Sequence, residues 1–397
     1  MKPRWFLSLV VVLLTLALTP IAAAQAPLPG GEDRTEVSNG GVTPDPALPH
    51  ITAASPSPSH AFSDDLVAQN SQSPAALGQP GLSFRYVRTF GVTEQAYIAD
   101  VQHLNSPAGL FMDAANNLYA VEDQGNRVLK FNAAGNNLMS IGTAGLFMRG
   151  SYTFNLPRDA AVDNSGNLWV VDKHRAVQYS ATGTYLQELP QNDPWQSGND
   201  NTHFNEPYGI AFDLAGRMFI ADRWNHRVQV YTFSGGKPVY SATIGITGVT
   251  GNDNAHFNTP YRLAVDSSGG LYVVDYRNNR VQRCVLSGAW TCTTLDGGLN
   301  NSQGIAIDGN DNVYIADAGN SRIRKCMPGG ACSNFADVTN WTTDLAVDSN
   351  GTIYASTQSR HVIRKFSSTG NLIGTHLGVE GVPYLPTATT TIIRVSR

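Results

Sequence analysis

Short apolar runs alternate with polar turns six times after residue 104. Each copy opens with a run such as Pro207–Asp213, passes a Gly/Asn/Ser turn and enters a second run such as Met218–Asp222. An Asn- and Arg-containing loop, an alternating segment such as Val228–Tyr231 and a looser segment ending at Gly245 follow. These patterns predict four short strands per copy. The aspartates that close the first run are 40 to 53 residues apart: Asp113, Asp163, Asp213, Asp266, Asp308 and Asp348.

Four antiparallel strands per repeat are typical of a propeller blade. The sequence therefore predicts an all-β fold, a six-bladed β-propeller, because no seventh copy is found. Three segments compete to supply the strand that closes the ring: Phe84–Phe90, Asn371–Leu377 and Thr389–Val395.

The repeat resembles the NHL repeat of β-propellers, which pairs P-x-G-[IL]-A-[VF]-D with a later D-x-x-N-x-R-V/I-Q, and one copy reads Asn225-His226-Arg227. The resemblance covers roughly residues 82 to 378, with repeats starting near 104, 154, 204, 257, 299 and 339. It implies the propeller fold. It implies no single function, because the family includes scaffolds, sensor domains, RNA binders and a metal-dependent lyase.

The amino-acid composition and net charge limit the classes of fold and partner that the chain can have. Only 15% of the residues are charged, while 38 glycines and 21 prolines accompany 42% hydrophobic residues, which excludes a helical bundle. The net charge of -4 arises without long single-sign runs, so no nucleic-acid partner is expected.

The N-terminal region carries the three parts of a secretory signal peptide over residues 1–24: Lys2 and Arg4, the apolar run Trp5–Ala17, and small residues up to Ala24. An uncleaved anchor is the alternative interpretation. Residues 25–81 are rich in Pro, Ser and Ala and predict a disordered linker, which leaves 82–397 for the propeller. We expect a secreted or periplasmic monomer with no membrane span after cleavage.

The four cysteines lie in two aligned hairpins. Cys284 with Cys292, and Cys326 with Cys332, are eight and six residues apart across Gly-containing turns. This predicts two disulfides and an oxidising compartment, since zinc sites favour C-x-x-C spacing.

Repetition also decides how the acid and arginine pairs are interpreted. Asp222 with Arg227 recurs in other blades, for example as Asp275 with Arg280. A catalytic site needs one constellation, so these pairs are predicted to be structural clamps.

Two loops, Asn199–Pro207 and Asn252–Pro260, share Asn-Asp-Asn-x-His-Phe-Asn-x-Pro. Their aspartates leave a calcium site open, but a structural role, with Phe204 and Phe257 packed between blades, is favoured.

A propeller's expected ligand site is the mouth of its central channel, where the inner strands begin. The family's amidating-type lyase carries zinc-binding histidines just after the aligned proline, and no histidine stands there in this chain. No metal, cofactor or catalytic residue is therefore predicted. The residues expected to bind a ligand at the mouth, with Trp195 nearby, are Arg158, Asp159, Tyr208, Tyr261, Arg262, Gln303 and Asp344.

The leading hypothesis is a secreted, non-enzymatic scaffold whose channel-mouth face binds a protein, peptide or glycan. The alternative is an extracytoplasmic lyase or hydrolase acting at the mouth, with Asp159 or Asp344 as the base and Arg158 or Arg262 stabilising negative charge. A structural envelope component is the third hypothesis.

Overall fold

A computed structural model of the protein describes residues 103–144, 150–191 and 195–378. All of them lie in the unit Phe84–Arg397. The predicted signal peptide and linker, and the segments Phe84–Phe90 and Thr389–Val395, lie outside the described residues.

The described residues form six four-stranded antiparallel sheets arranged in a ring, which confirms the six-bladed propeller. Each blade uses four consecutive strands, counted outward from the channel. Blades one to three are β1 Pro107–Met112, β2 Leu118–Glu122, β3 Arg127–Phe131, β4 Asn137–Ile141; β5 Pro157–Val162, β6 Leu168–Asp172, β7 Arg175–Tyr179, β8 Tyr185–Leu189; β9 Pro207–Phe212, β10 Met218–Asp222, β11 Arg227–Ser234, β12 Lys237–Gly245. Blades four to six are β13 Pro260–Val265, β14 Leu271–Asp275, β15 Arg280–Ser287, β16 Ala289–Gly297; β17 Ile305–Ile307, β18 Val313–Asp317, β19 Arg322–Cys326, β20 Cys332–Asp337; β21 Asp344–Val347, β22 Ile353–Thr357, β23 Val362–Phe366, β24 Leu372–Leu377.

Short 3-10 turns join the second and third strands of four blades. They are Arg223–Asn225, Tyr276–Asn278, Ala318–Asn320 and Gln358–Arg360. The outer strand of blade six is β24, which pairs with β23, so Asn371–Leu377 supplies that strand.

Each repeated aspartate after the inner strand builds the turn that follows it. Its Oδ1 atom accepts a hydrogen bond from the backbone N–H four residues later, at 2.7–2.9 Å, in all six blades. The carboxylate thereby satisfies turn backbone, which explains why the aspartate recurs.

The acid and arginine pairs form clamps in five blades, and the acid is fully buried in each. In blade three, Asp222 Oδ2 accepts from Arg227 Nε at 2.8 Å, and Asp222 Oδ1 accepts from the N–H of Asn205 in the incoming loop at 2.7 Å. The other blades use Glu122 with Arg127, Asp172 with Arg175, Asp275 with Arg280 and Asp317 with Arg322. Thr357 replaces the acid in blade six. Each pair fixes the loop that enters its blade.

The hydrophobic core is divided into six clusters, one at each boundary between neighbouring blades, and the cluster between blades four and five also includes Tyr208 of blade three. Phe204 packs between blades two and three, and Phe257 between blades three and four, both almost completely buried. In its own loop, Asp200 accepts hydrogen bonds from the backbone N–H groups of Thr202 and His203. These loops therefore have the packing that the structural interpretation expects.

Both predicted disulfides are confirmed. Cys284 is bonded to Cys292 across β15 and β16, and Cys326 to Cys332 across β19 and β20.

A hydrogen bond from one blade to the next recurs at five of the six blade interfaces. A side chain in the loop between the second and third strands accepts from a backbone N–H just before the next inner strand. The acceptor is asparagine at two interfaces and histidine Nδ1 at three. The pairs are Asn126 with Leu156, His174 with Glu206, His226 with Thr259, Asn279 with Asn301, and His361 with Ser106.

We predict that His226→Asn reduces the dependence of stability on pH. His226 Nδ1 can accept from Thr259 N–H only when the ring is neutral, and burial, followed by the charge of Arg277, lowers the pKa of His226 below 6.5. Because the folded pKa lies below the unfolded one, this contribution is full above pH 6.5 and is lost as the pH falls below it. Asparagine accepts the same bond in blades one and four without titrating.

The measurement is urea unfolding of both proteins between about pH 5 and pH 8. At about pH 5 the wild-type protein should lose up to about 1 kcal/mol more than the variant, because the partly exposed ring makes one hydrogen bond. Parallel pH profiles would contradict the prediction.

Candidate functional site

A ring of six aligned residues surrounds the channel where the inner strands begin. Glycine and a charged residue alternate around it. A Cβ atom on Gly209 would collide with the carbonyl of Tyr261, and one on Gly304 with the Cα of Asp344. The glycines therefore let the next inner strand approach closely. The ring runs Gly109, Asp159, Gly209, Arg262, Gly304 and Asp344.

The Arg262 guanidinium crosses the channel from blade four. Its Nη1 donates to the carbonyl of Tyr208 in blade three at 2.8 Å, and its Nη2 to that of Ala108 in blade one at 2.6 Å. It also forms ion pairs with Asp159 Oδ2 at 3.4 Å and Asp344 Oδ2 at 3.2 Å. One side chain thus connects five blades.

Two carboxylates share this single guanidinium. Asp159 Oδ2 accepts from Ile210 N–H at 3.0 Å and Asp344 Oδ2 from Leu110 N–H at 2.8 Å. Asp344 Oδ1 is buried without a hydrogen-bond partner among the described residues. Burial raises the pKa of both carboxyls, that of Asp344 to about 7, against the opposing charge of Arg262. The group therefore holds a proton more readily than a surface carboxyl would.

These three charged residues close the channel just inside its mouth. Asp159, Arg262 and Asp344 are only 5%, 2% and 2% exposed. From this group a cavity of about 210 Å³ extends along the inner strands. The structure thus brings together three of the residues expected at the mouth, in a buried cluster beneath it.

Three tyrosines stack at the mouth itself, above blades three and four. The ring centroids of Tyr208 and Tyr261 are 4.1 Å apart, and their planes are 19° from parallel. The centroids of Tyr261 and Tyr276 are also 4.1 Å apart, and their planes are 5° from parallel. Tyr208 and Tyr261 are the second residues of β9 and β13, whereas Tyr276 belongs to the turn after β14. The stack fixes rings from two blades against each other.

Arginines cover this stack. Arg158 lies over Tyr208 at 5.3 Å, and Arg223 over Tyr208 at 5.3 Å, Tyr261 at 5.0 Å and Trp224 at 4.4 Å. We define the mouth cluster as the residues of the stack and the cationic and indole side chains around it. Its members are Arg158, Tyr208, Arg223, Trp224, Tyr261, Tyr276 and Arg277, the last lying over Trp224 at 5.4 Å.

Two carboxylates neutralise part of the mouth cluster. Asp123 pairs with Arg158 at 2.9 Å. Glu206 pairs with Lys173 at 3.1 Å and Arg223 at 3.4 Å and accepts from the indole N–H of Trp224 at 3.1 Å. Burial opposes ionisation of Glu206, but the hydrogen bonds from Lys173 and Trp224 outweigh it and lower its pKa. Arg277 is exposed and has no carboxylate partner in the described part of the chain.

The other two residues expected near the mouth do not join the mouth cluster. Gln303 is half-buried at the aligned position of blade five, where its N–H donates to Ala316. Trp195 lies against the guanidinium of the clamp residue Arg175 at 4.3 Å.

Sequence reasoning missed Arg223, Trp224, Tyr276 and Arg277. All four occupy the two variable positions after the clamp aspartate in blades three and four. Blade five has Ala318 and Gly319 there. Large aromatic and cationic residues at both positions in two adjacent blades, where blades five and six have small or neutral residues, are the signal that could have located them.

Comparison with known proteins agrees with the repeat. The NHL repeat family matches residues 257–284 and 299–334. The chain is 28% identical over 178 residues to human NHL repeat-containing protein 3, which covers 39% of this chain and 47% of that protein. It is 27% identical over 144 residues to the probable peptidyl-alpha-hydroxyglycine alpha-amidating lyase of Caenorhabditis elegans, covering 35% and 39%. The chain thus matches less than half the length of each of these two relatives.

A solved structure of similar fold is a catalytically inactive variant of virginiamycin B lyase from Staphylococcus aureus with quinupristin. It has 14% sequence identity and a TM-score of 0.50 and covers 73% of this chain and 90% of its own. At this identity the similarity concerns the fold alone.

Proposed function

We propose that this chain, which belongs to the NHL-repeat β-propellers, is an extracytoplasmic binding scaffold that presents its channel-mouth face to a protein, peptide or glycan partner. The observation that carries the proposal is the mouth cluster. It places tryptophan, tyrosine and arginine, the residues that dominate binding energy at protein interfaces, together on one face.

The mouth cluster is fixed before any partner arrives. Stacking holds Tyr261 between Tyr208 and Tyr276, and Glu206 holds both Arg223 and Trp224. Below it, Arg262 ties five blades together. Little side-chain entropy therefore remains to be lost on binding.

The extracytoplasmic assignment is supported by the two disulfides, which persist in oxidising compartments. The described residues include no helix that is long and apolar enough to cross a membrane. Secretion through the N-terminal segment is part of the proposal.

Enzymatic activity at the channel is a second candidate function. Asp344 favours it, because a carboxyl with a pKa near 7 and a free oxygen resembles a general base. Its burial beneath the mouth, and its ion pair with Arg262, favour the scaffold instead. Saturable turnover that is lost in Asp344→Asn would favour the enzyme.

The scaffold is tested by photo-crosslinking. With p-benzoyl-phenylalanine in place of Trp224, we expect a discrete crosslinked species in the extracellular fraction of the source organism. The matched control has the same residue in place of Leu214, which is 80% exposed in the turn at the opposite end of blade three. Equal crosslinking from both positions, or none from either, would contradict the proposal.

A further inference from the structure

We propose that the mouth cluster binds an acidic peptide segment of a partner protein, whose carboxylates are bound by the arginines of blades two, three and four. This rests on the proposed scaffold function and names the class of partner.

The hydrogen-bonding groups that the mouth cluster offers are mainly donors. Guanidinium groups donate only, and the carboxylates of Asp123 and Glu206 are already engaged by cluster cations. The hydroxyls of Tyr208, Tyr261 and Tyr276 form no hydrogen bond with the described residues, so their O–H groups can donate as well. Such a surface selects a ligand rich in acceptors.

The charge of this face has the sign opposite to that of the whole chain. This face has four cationic side chains and two carboxylates, Asp123 and Glu206, which pair with three of the four, although the full sequence carries a net charge of -4. The four cations are Arg158, Lys173, Arg223 and Arg277. A negatively charged ligand is therefore attracted to this face.

Two of the three stacked tyrosines, Tyr208 and Tyr261, already have neighbours against their rings. Tyr261 has a tyrosine on each side, and Tyr208 lies between Tyr261 and the guanidinium groups of Arg158 and Arg262. Sugars and nucleic-acid bases bind aromatic residues through free ring faces. A peptide needs no free face, because its carboxylates can bind the guanidinium edges bidentately.

Arg277 is the residue through which the proposal can be tested. Its side chain is exposed, lies over Trp224 and has no carboxylate partner among the described residues. Stacking orients its planar group, which is the geometry that bidentate binding of a carboxylate requires.

The experiment uses the full-length protein and fluorescence anisotropy. The probe is a fluorescein-labelled peptide of alternating Glu and Ala, compared with a Gln and Ala peptide, a phosphoserine and Ala peptide, and oligogalacturonate as competitor. We expect the Glu peptide to bind and the Gln peptide not to bind. Arg277→Gln should weaken binding about five- to tenfold, and Arg277→Lys should be intermediate, because lysine keeps the charge but loses the planar fork.

The matched control is Lys237→Gln, an equal change of charge on an exposed residue at the far end of blade three. It should leave the affinity within about twofold, because it lies more than a screening length from the mouth. Equal weakening by both variants would overturn the proposal, since it would indicate unspecific attraction. Absence of Glu-peptide binding, or stronger binding of phosphopeptide or galacturonate, would overturn it too.

Failure here can be told apart from failure of the scaffold function. If the Glu peptide does not bind while crosslinking from position 224 remains, the scaffold stands and its partner is not an acidic peptide. If crosslinking from position 224 is also lost, both proposals fall.

Discussion

Replacing Arg262 with Met should lower the free energy of unfolding by about 3–5 kcal/mol, because the change leaves Asp159 and Asp344 buried without their cation. It also removes the hydrogen bonds to the carbonyls of Ala108 and Tyr208. Urea unfolding monitored by tryptophan fluorescence measures the loss.

The pH dependence of this variant separates charge from packing. Without Arg262 the pKa of both carboxyls should rise further above the unfolded value of 3.8. A group whose folded pKa is raised contributes stability at low pH and loses it as the pH rises through that pKa. We therefore expect a larger loss at about pH 8 than at about pH 5.

Neutralising the carboxylates provides the control. Adding Asp159→Asn and Asp344→Asn to Arg262→Met should recover part of the lost stability at about pH 8, since no buried charge remains unpaired. An equal loss at both pH values, or no recovery in the triple variant, would show that Arg262 acts by packing alone.

Asp222→Ala should destabilise the protein by about 3–5 kcal/mol as well, because Arg227 is almost fully buried and would lose its counter-ion. The same change removes the acceptor for the Asn205 N–H in the loop entering blade three. Chemical unfolding again provides the measurement.

Glu188→Ala is the matched control for the clamp. Glu188 pairs with Arg175 at 2.8 Å, but its carboxylate side chain is 22% exposed, and Asp172 still holds that arginine. Its removal should cost less than about 1 kcal/mol. A loss as large as that of Asp222→Ala would mean that burial does not set the strength of these clamps.

The Asp222 clamp stabilises a single blade, whereas the Arg262 group stabilises the whole ring. The clamp is local, because Asp222 and Arg227 are five residues apart and join adjacent strands β10 and β11. The Arg262 group is global, because its bond to Ala108 joins residues 154 positions apart across the channel. The first should recur in five blades, whereas the second occurs once per molecule.

The placement of the mouth cluster directly above the Arg262 group has a functional consequence. Arg262 lies 5.1 Å from the ring of Tyr208, so the buried group supports the stack from below. The mouth cluster therefore rests on a buried group that joins five blades.

The repeat, the six blades and the disulfides could be predicted from the sequence because each depends on local spacing. The turn aspartates, such as Asp213, bond to backbone only four residues away, and Cys284 faces Cys292 in a directly paired register. Such contacts recur wherever the local pattern recurs. The clamp pairs were predicted for the same reason.

The site was only partly predictable. The repeat predicts Asp159, Arg262 and Asp344 at the mouth because each lies two residues after the aligned proline or, in blade six, after Thr342 at the same position, and Arg158, Tyr208 and Tyr261 do lie at the mouth. The sequence does not show that glycines at the alternate positions let the charged residues converge and bury one another.

The sequence by itself determined the architecture of this protein, since strand period, turn chemistry and cysteine spacing act within one blade. Only the tertiary structure decided which residues of the channel-mouth face contact one another. Tyr208, Tyr261 and Arg158 belong to three blades, and Arg262 reaches across the ring. Closure of the ring brings distant residues together, and the position of each then decides whether its charge is buried and paired or exposed at the mouth.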